Sequence, residues 1–231
     1  PVIVGKLPTE AYDVVRQTAQ TVQALLYIYN EHFTLTGDMV AETYTNNLTQ
    51  MEFTSLQRGL IGEHQRINAA MAITAFIEVA KVLNINVDAQ LIQEALKNTA
   101  VPGRFEEVLP NVFFDGAHNP ASVHALVQTV KTYYPKNRVE IILGMLKDKD
   151  VQEVLHVIEP IASKIQFIDI SNERALSAQQ FYELSNHHNK EIVYDALSTI
   201  FAPVPVNTIR IVTGSLYLLA DLRAKIKKLS K

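Results

Sequence analysis

The amino-acid sequence predicts an α/β protein, and three observations support this fold class. From Val112 onward, short apolar runs alternate with segments of helical length. These runs are apolar at nearly every position, as expected for strands of a mostly parallel sheet with helices on both faces. The chain of 231 residues is 48% hydrophobic, which is sufficient for a substantial core.

The first part of the chain predicts a less regular mixture of elements. An apolar run at 2–4 indicates a strand, and Thr9 is a suitable N-cap for a helix that continues to about Val22. A second strand is expected at 25–29. Polar, Thr-rich and aromatic residues alternate over 31–56, which favours antiparallel strands or a hairpin.

Two further helices are predicted before the middle of the chain. Residues 59–83 are apolar or small nearly all round the helix, so we expect this helix to be buried between layers. A second helix is expected at 88–97. The stretch 102–110, which begins with Pro and Gly, is the expected boundary between two domains.

The second half of the chain predicts a regular alternation of strands and helices. Strands are expected at 112–114, 139–144, 164–170, 191–194 and 208–214. Helices are expected at 120–133, 151–158, 177–185, 196–201 and about 215–228. In an open α/β sheet of this kind, ligands bind at the carboxyl ends of the strands.

Composition and charge exclude several classes of function. A net charge of -3 and a pI near 6.2 argue against a nucleic-acid-binding protein. The basic residues that close the last helix complement its dipole; they are Arg223, Lys225, Lys227, Lys228 and Lys231. No apolar run is long enough to span a bilayer, and the absence of Cys suits a reducing cytoplasm. We therefore expect a cytoplasmic protein that binds small molecules.

The hexapeptide DGAHNP at 115–120 is the strongest local signal for a ligand site. It directly follows an apolar strand, so its ionisable groups lie at the carboxyl end of that strand. Asp115 can accept hydrogen bonds from sugar hydroxyls, and His118 can carry a proton near neutral pH. Pro120 presets the first turn of the next helix. The alternative is a strand-to-helix turn in which Asp and Asn serve as turn and cap residues.

Several other signals are missing from the sequence. The eight glycines form neither GxGxxG nor GxxxxGK[ST], so neither phosphate-binding motif is present. The histidines show no HExxH spacing, and the adjacent His187 and His188 are expected in a surface loop. We predict no metal site. Because the chain opens at once on a strand, we expect a fragment whose first domain begins upstream.

Five segments occur in order along the chain: GEHQRINAAMA at 62–72, PGRFE at 102–106, DGAHNP at 115–120, GMLKDKD at 144–150 and TGSLYL at 213–218. In this order and spacing they resemble the folylpolyglutamate synthases and the bifunctional dihydrofolate synthases of the Mur ligase superfamily. The resemblance implies that residues 1–105 are the C-terminal part of a Mur-ligase-like central ATPase domain. Residues 106–231 would form the Rossmann-like C-terminal domain with a mostly parallel sheet.

The resemblance also implies ATP and Mg²⁺ as cofactors. In this family the P-loop, the magnesium ligands and a modified lysine come before the part that this chain resembles. We therefore expect the metal ligands to lie mostly outside the chain, and the chain to be inactive alone.

Three residues are carried over from the family as nucleotide ligands. Asn68 matches the position that contacts the base, Arg104 matches an arginine on the ATP phosphates, and Asp115 matches an aspartate that contacts the nucleotide. Each has a structural alternative. Asn68 could be a polar residue on an otherwise apolar helix, hydrogen-bonded to the backbone, and His64 and Gln65 are expected to be helix-start or supporting residues instead of ligands. Arg104 could form a surface ion pair with Glu106 or Glu107.

Three residues are predicted to bind the amino-acid substrate. His118 matches a histidine near the reacting groups, and together with Arg104 it is a predicted catalytic residue. Ser215 has the position to hold a glutamate carboxylate at a helix start, a role that is compatible with an ordinary N-cap. Lys149 could neutralise phosphate or carboxylate charge, and its alternative is a solvated loop.

The implied activity is ATP-dependent ligation. A folate carboxylate is phosphorylated to an acyl phosphate, and the amine of L-glutamate attacks it to form an amide, with the active site between the two domains. One alternative is another ligase of the same superfamily, in which Tyr often stands at the position of Gly116. The other is a non-catalytic nucleotide-binding module. The sequence assigns no oligomeric state.

Overall fold

The computed structural model describes residues 1–229 and contains two compact units. The first unit spans Pro1–Ala100, and the second begins at Val101. Lys231 of the basic cluster, and with it the end of the predicted second domain, lies outside the described residues. No helix in the described part of the chain has both the length and the apolar character needed to cross a membrane.

The first unit contains five strands and three helices. A parallel pair of strands, β1 and β2, is separated by α1, and three antiparallel strands then form a meander in the order β3-β4-β5. Two helices follow. The bounds are β1 Val2–Val4, α1 Thr9–Thr21, β2 Leu26–Ile28, β3 Phe33–Asp38, β4 Ala41–Asn46, β5 Met51–Leu56, α2 Glu63–Leu83 and α3 Ala89–Asn98.

Alternation along the meander produces the core of the first unit. Leu35 of β3, Tyr44 of β4 and Phe53 of β5 are buried in one cluster with residues of α2. The rings of Tyr44 and Phe53 stack with their centroids 5.7 Å apart. Side chains at alternate positions of a strand point to the same face of the sheet. The predicted alternation over 31–56 therefore corresponds to three antiparallel strands.

The expectation that the helix at 59–83 is buried between layers is wrong for one of its faces. Ala70, Ile73 and Ile77 of α2 are buried, but Phe76 and Val82 are 42% and 82% exposed. A helix buries only the part of its surface that meets other elements. Within residues 1–100, α2 meets the meander and also strand β1.

A buried ion cluster joins the meander to the start of α2. The carboxylate of Glu42 on β4 is fully buried and accepts a hydrogen bond from Nε of Arg58 at 2.6 Å. Nε of Arg66 on α2 donates to the other oxygen at 3.0 Å. Arg58 also donates to the carbonyls of Leu60 and Gly62. A buried charge is tolerated only when it is paired, so Glu42 and Arg58 must stay in contact. Their bonds therefore fix the loop from which α2 begins.

The second unit is the predicted α/β sheet, and the fold class is confirmed. Six strands lie in the order β10-β9-β8-β11-β7-β6, and all pairs except β6 with β7 are parallel. The bounds are β6 Glu106–Leu109, β7 Val112–Phe114, α4 Pro120–Tyr133, β8 Arg138–Leu143, α5 Val151–Ile158, β9 Lys164–Ile168, α6 Ala178–Leu184, β10 Lys190–Val193, α7 Ala196–Phe201, β11 Thr208–Thr213 and α8 Leu216–Leu229.

Two features of the second unit differ from the sequence predictions. Strand β6 was not predicted, because its sequence EEVL carries two acidic residues, and it pairs antiparallel at the edge of the sheet. The expected surface position of His187 is also wrong. Its ring is buried, and each ring nitrogen lies 2.9 Å from a backbone carbonyl oxygen, one of Asn189 and one of Ala162.

The strand order places four loops next to one another at the carboxyl ends of the strands, which we call the carboxyl edge of the sheet. Strand β11 lies between β7 and β8, and β9 lies on the far side of β8. Because these four strands are parallel, the loops after Phe114, Leu143, Ile168 and Thr213 leave from the same edge. Segments that are far apart in the sequence therefore become neighbours there.

The buried ion cluster predicts a large loss of stability on removal of its buried carboxylate, Glu42. We expect Glu42→Gln to lower the free energy of unfolding of the first unit by about 3–5 kcal/mol, because Arg58 is left buried without a counter-charge. Hydrogen exchange of the β4 amides measures this loss. The matched control is Glu52→Gln on β5, whose exposed side chain should cost about 0.5 kcal/mol or less. Equal losses in the two variants would contradict the prediction.

Candidate functional site

The loop after β7 is tied to the loop that carries Arg104. Oδ2 of Asp115 accepts a hydrogen bond from the backbone N–H of Phe105, and Oδ1 accepts one from Ala117, both at 2.9 Å. The N–H of Gly116 donates to the carbonyl of Gly103 at 2.8 Å. The backbone on both sides of Arg104 is therefore fixed to the DGAHNP loop.

Asp115 is 9% exposed; its Oδ2 makes the connection to Phe105, and its Oδ1 closes a turn within the DGAHNP loop. The turn interpretation of this residue is therefore realised in the structure. The predicted contact with a nucleotide stays a prediction.

Arg104 does not form the surface ion pair that was its structural alternative. Glu106 is engaged by Arg223, which donates from Nη1 at 2.7 Å and from Nη2, and this pairing holds the pKa of Glu106 below its usual value. Glu107 accepts a hydrogen bond from the N–H of Asn111 at 2.9 Å. Among residues 1–229, the exposed guanidinium of Arg104 has no ion-pair partner, which leaves it available to an anion.

Gly116 gives Arg104 the room to lie against the loop. A Cβ atom at this position would be 2.9 Å from Nη1 of Arg104 and would overlap Cδ2 of Leu216. Any larger residue must displace one of these side chains. The glycine therefore sets how closely the guanidinium approaches the DGAHNP backbone.

The start of α4 orients His118. Asn119 caps the helix by accepting from the N–H of Ser122 at 2.9 Å, and Pro120 stands at the first helical position, as predicted. Nδ1 of His118 lies 2.7 Å from the carbonyl oxygen of Gly116. Because a carbonyl only accepts, Nδ1 carries the proton in this bond, and Nε2 of the neutral ring is left as an acceptor.

A cavity of about 190 Å³ lies at the carboxyl edge of the sheet and brings three predicted site residues together. His118 comes from the loop after β7, Lys149 from the loop after β8, and Ser215 from the loop after β11. The remaining lining residues are Leu146, Asp148, Arg174, Gly214, Leu216 and Tyr217. The three residues predicted to bind the amino-acid substrate thus line one site.

Ser215 lies at the start of α8 and is 4% exposed. Its Oγ accepts a hydrogen bond from the N–H of Tyr217 at 3.2 Å, and its carbonyl accepts one from Leu219. Ser215 is therefore an N-cap, which was the structural role predicted for it. The cap position places the serine at the positive end of a helix of 14 residues, where a carboxylate is favoured.

The cations of the cavity come from two loops. Nζ of Lys149 lies 3.2 Å from Oδ2 of Asp148, and this bond holds the pKa of the Asp148 carboxyl below its usual value. Arg174, from the loop after β9, acts on that pKa in the same direction. Sequence reasoning missed Arg174, because it lies in a polar stretch that matches no motif.

Asn68 belongs to the first unit, whereas the other predicted site residues belong to the second. It lies near the start of α2 with an exposed side chain, and its Nδ2 donates to Oε1 of Gln65 at 3.2 Å. Nε2 of Gln65 lies 3.1 Å from the ring of His64. The structural alternative foreseen for Asn68 was a hydrogen bond to the backbone, whereas the structure shows a hydrogen bond to the side chain of Gln65. The contact of Asn68 with a nucleotide base stays a prediction.

Comparison with known proteins shows what the chain is similar to. The family described as "Mur ligase, glutamate ligase domain" matches residues 103–202, which form most of the second unit. Over nearly its whole length, the chain is similar to folylpolyglutamate synthases and dihydrofolate synthase/folylpolyglutamate synthases.

Similarity extends over nearly the whole chain. It is 30% identical to the dihydrofolate synthase/folylpolyglutamate synthase of Bacillus subtilis, with 98% of this chain and 55% of that protein covered. It is 26% identical to the folylpolyglutamate synthase of Lacticaseibacillus casei, with 96% and 53% covered. The crystal structure of the folylpolyglutamate synthase of Thermotoga maritima has the same fold, with a TM-score of 0.81 at 24% identity and 98% and 54% coverage. The chain spans about half the length of these relatives.

The connection made by Asp115 predicts a measurable loss of stability. We expect Asp115→Ala to destabilise the second unit by about 2–4 kcal/mol, because the amides of Phe105 and Ala117 lose their buried acceptor. Urea unfolding gives the loss, and hydrogen exchange at those two amides locates it. The control is Asp195→Ala, which also removes a carboxylate that accepts two backbone bonds, but at an exposed helix cap worth about 1 kcal/mol. Unchanged exchange at Phe105 would contradict the prediction.

Proposed function

We propose that the full-length protein is an ATP-dependent amide ligase that adds L-glutamate to folate through an acyl phosphate. One observation carries this proposal. The cavity at the carboxyl edge of the sheet gathers an imidazole, an ammonium and a capped helix start from three separate loops. These are the groups that an amino-acid substrate with carboxylates and a reacting amine requires. Both the folylpolyglutamate and the dihydrofolate synthase activities are compatible with this proposal.

On this proposal Arg104 binds the ATP phosphates. Its guanidinium has no ion-pair partner among residues 1–229, and a planar fork pairs with phosphate oxygens in a bidentate manner. Its backbone is fixed on both sides by the DGAHNP loop, so little order is lost when the side chain engages an anion. Asp115 would contact the ribose hydroxyls, and Asn68 the base.

His118, Ser215 and Lys149 would serve the incoming glutamate. The helix start at Ser215 favours a carboxylate, and Lys149 offsets further negative charge. Nε2 of His118 is an acceptor in the bonded tautomer, so it can orient the amine or receive a proton from it. Catalysis would then rest on alignment and charge neutralisation, as expected for phosphoryl transfer followed by attack of an amine.

Arg104 of this chain suits ATP phosphates, and the magnesium that accompanies ATP needs carboxylate ligands. Magnesium bound at a triphosphate offsets its negative charge and is held by one or two carboxylates. No group of three or more acidic or His side chains placed to hold a metal occurs among residues 1–229. We propose that the ligands of Mg²⁺ lie mostly outside this chain. We also propose that the protein is cytoplasmic and that its partners are folate, L-glutamate and ATP.

The close packing at Gly116 favours a folate ligase over the other ligases of the superfamily. A tyrosine in its place would overlap Leu216 and displace Arg104. Assay of the full-length protein with folates and with UDP-muramyl peptides separates the two classes. Turnover with folate, ATP and glutamate is the expected result, whereas turnover with the muramyl peptides alone would refute the proposal. Binding of ATP without any ligation would favour a non-catalytic module.

Loss of the phosphate-binding guanidinium should have a large effect on turnover. We expect Arg104→Ala in the full-length protein to lower kcat by about 10³-fold, the lower end of the range for arginines that stabilise a transferring phosphoryl group. Steady-state release of ADP measures the effect. Arg138→Ala is the control, since this exposed arginine lies at the opposite, amino end of β8. A change of less than about threefold would remove Arg104 from the site.

The chain of 231 residues alone should show no ATP-dependent ligation. Its sequence contains no loop of the phosphate-cradling type, so the triphosphate would lack its principal ligands. The test supplies the purified chain with ATP, Mg²⁺, folate and L-glutamate and measures ADP. Folate-dependent and glutamate-dependent release of ADP above the rate without protein would contradict this prediction.

A further inference from the structure

The loop between β9 and α6 is held in place by the loop after β8. The N–H of Lys147 donates to the carbonyl of Arg174 at 2.8 Å, and the N–H of Leu176 donates to the carbonyl of Met145 at 3.0 Å. Leu146 and Ala175 form an antiparallel bridge between these two bonds. The backbone at Arg174 is therefore connected to the same segment that supplies Lys149.

Side chains within the loop add to this order. Oδ1 of Asn172 accepts a hydrogen bond from the N–H of Arg174 at 2.9 Å, and the Asn172 carbonyl accepts one from Ala175. Oδ1 of Asp169 accepts from the N–H of Ala178 at 2.8 Å. Arg174 is thus presented to the cavity from an ordered backbone, although its own side chain is exposed.

The charges that line the cavity do not balance. Lys149 and Arg174 contribute two cations, and Asp148 contributes the one carboxylate. That carboxylate is bonded to Lys149. The charge of Arg174 acts on Asp148, but within residues 1–229 its guanidinium forms no ion pair and no hydrogen bond. The cavity therefore has a planar cation without a bonded counter-charge at one place and a helix start at another, where Ser215 lies.

We propose that Arg174 is a specificity-determining residue that binds the side-chain carboxylate of the incoming amino acid. This inference rests on the proposed function. The amine and the α-carboxylate share one carbon, so reaction near His118 places the α-carboxylate at the Ser215 helix start. The side-chain carboxylate then extends towards Lys149 and Arg174, where a planar fork can bind it with two parallel hydrogen bonds. An amino acid with a neutral side chain leaves the guanidinium of Arg174 without a counter-charge. It therefore binds more weakly than glutamate.

The test is steady-state kinetics of the full-length protein with L-glutamate, L-glutamine and ATP varied in turn. We expect Arg174→Gln to raise KM for L-glutamate by about 10- to 100-fold, the range for hydrogen bonds to a charged group. The preference for glutamate over glutamine should fall by a similar factor, whereas kcat and KM for ATP should change by less than about threefold. Arg174→Lys, which keeps the charge but not the fork, should recover part of the loss.

Two controls separate this effect from a loss of structure. Arg138→Ala removes an exposed arginine at the other edge of the sheet and should leave all constants unchanged. The thermal unfolding temperature of Arg174→Gln should equal that of the wild type, because no hydrogen bond of the side chain is lost within residues 1–229. If Arg174→Gln does unfold, Arg174→Lys decides the matter by its KM for glutamate and its selectivity.

The outcomes are distinct. An unchanged KM for glutamate in Arg174→Gln would overturn the inference, while ligation by the wild type would keep the proposed function. A rise of KM for ATP alone would assign Arg174 to phosphate and would also overturn the inference. If the wild type ligates no glutamate to folate, the proposed function fails, and the role of Arg174 fails with it.

Discussion

The candidate site of the second unit depends on the hydrogen bonds that the carboxylate of Asp115 accepts. It accepts from the amides of Phe105 and Ala117, and so holds two loops together at the end of β7. A buried carboxylate is costly unless its oxygens are hydrogen-bonded, and here backbone donors meet that requirement. Together with the bond from Gly116 to Gly103, these bonds fix the chain on either side of Arg104 and the loop that carries His118. A residue predicted as a ligand is therefore also the one that shapes the site.

The order of the strands explains why the cavity forms where it does. Central strand β11 has β7 on one side and β8 on the other, so Ser215, His118 and Lys149 leave the sheet next to one another. Because the strands are parallel, segments that are far apart in the sequence meet at the carboxyl edge of the sheet. The loop after β9 completes the ring of residues with Arg174.

Much of this arrangement could be predicted from the sequence, because local chemistry decides it. The apolar runs predict the parallel strands, and Asn119 followed by Pro120 predicts the start of α4. Strand β6 was missed because an edge strand tolerates acidic residues that a central strand excludes. Burial of His187 depends on two carbonyls that only the folded chain brings near it. Arg174 carries no local signal, since its relevance comes from pairing between loops that lie about thirty residues apart.

The pairing of Lys149 with Asp148 has a consequence for the strength of binding at the cavity. An anion that reaches Lys149 does not meet a bare ammonium; it competes with an internal carboxylate that already occupies one side of that group. The free energy gained is the difference between two similar contacts, and solvent screens both of them. We therefore expect the contact with Lys149 to add little to the affinity of an anion for this cavity.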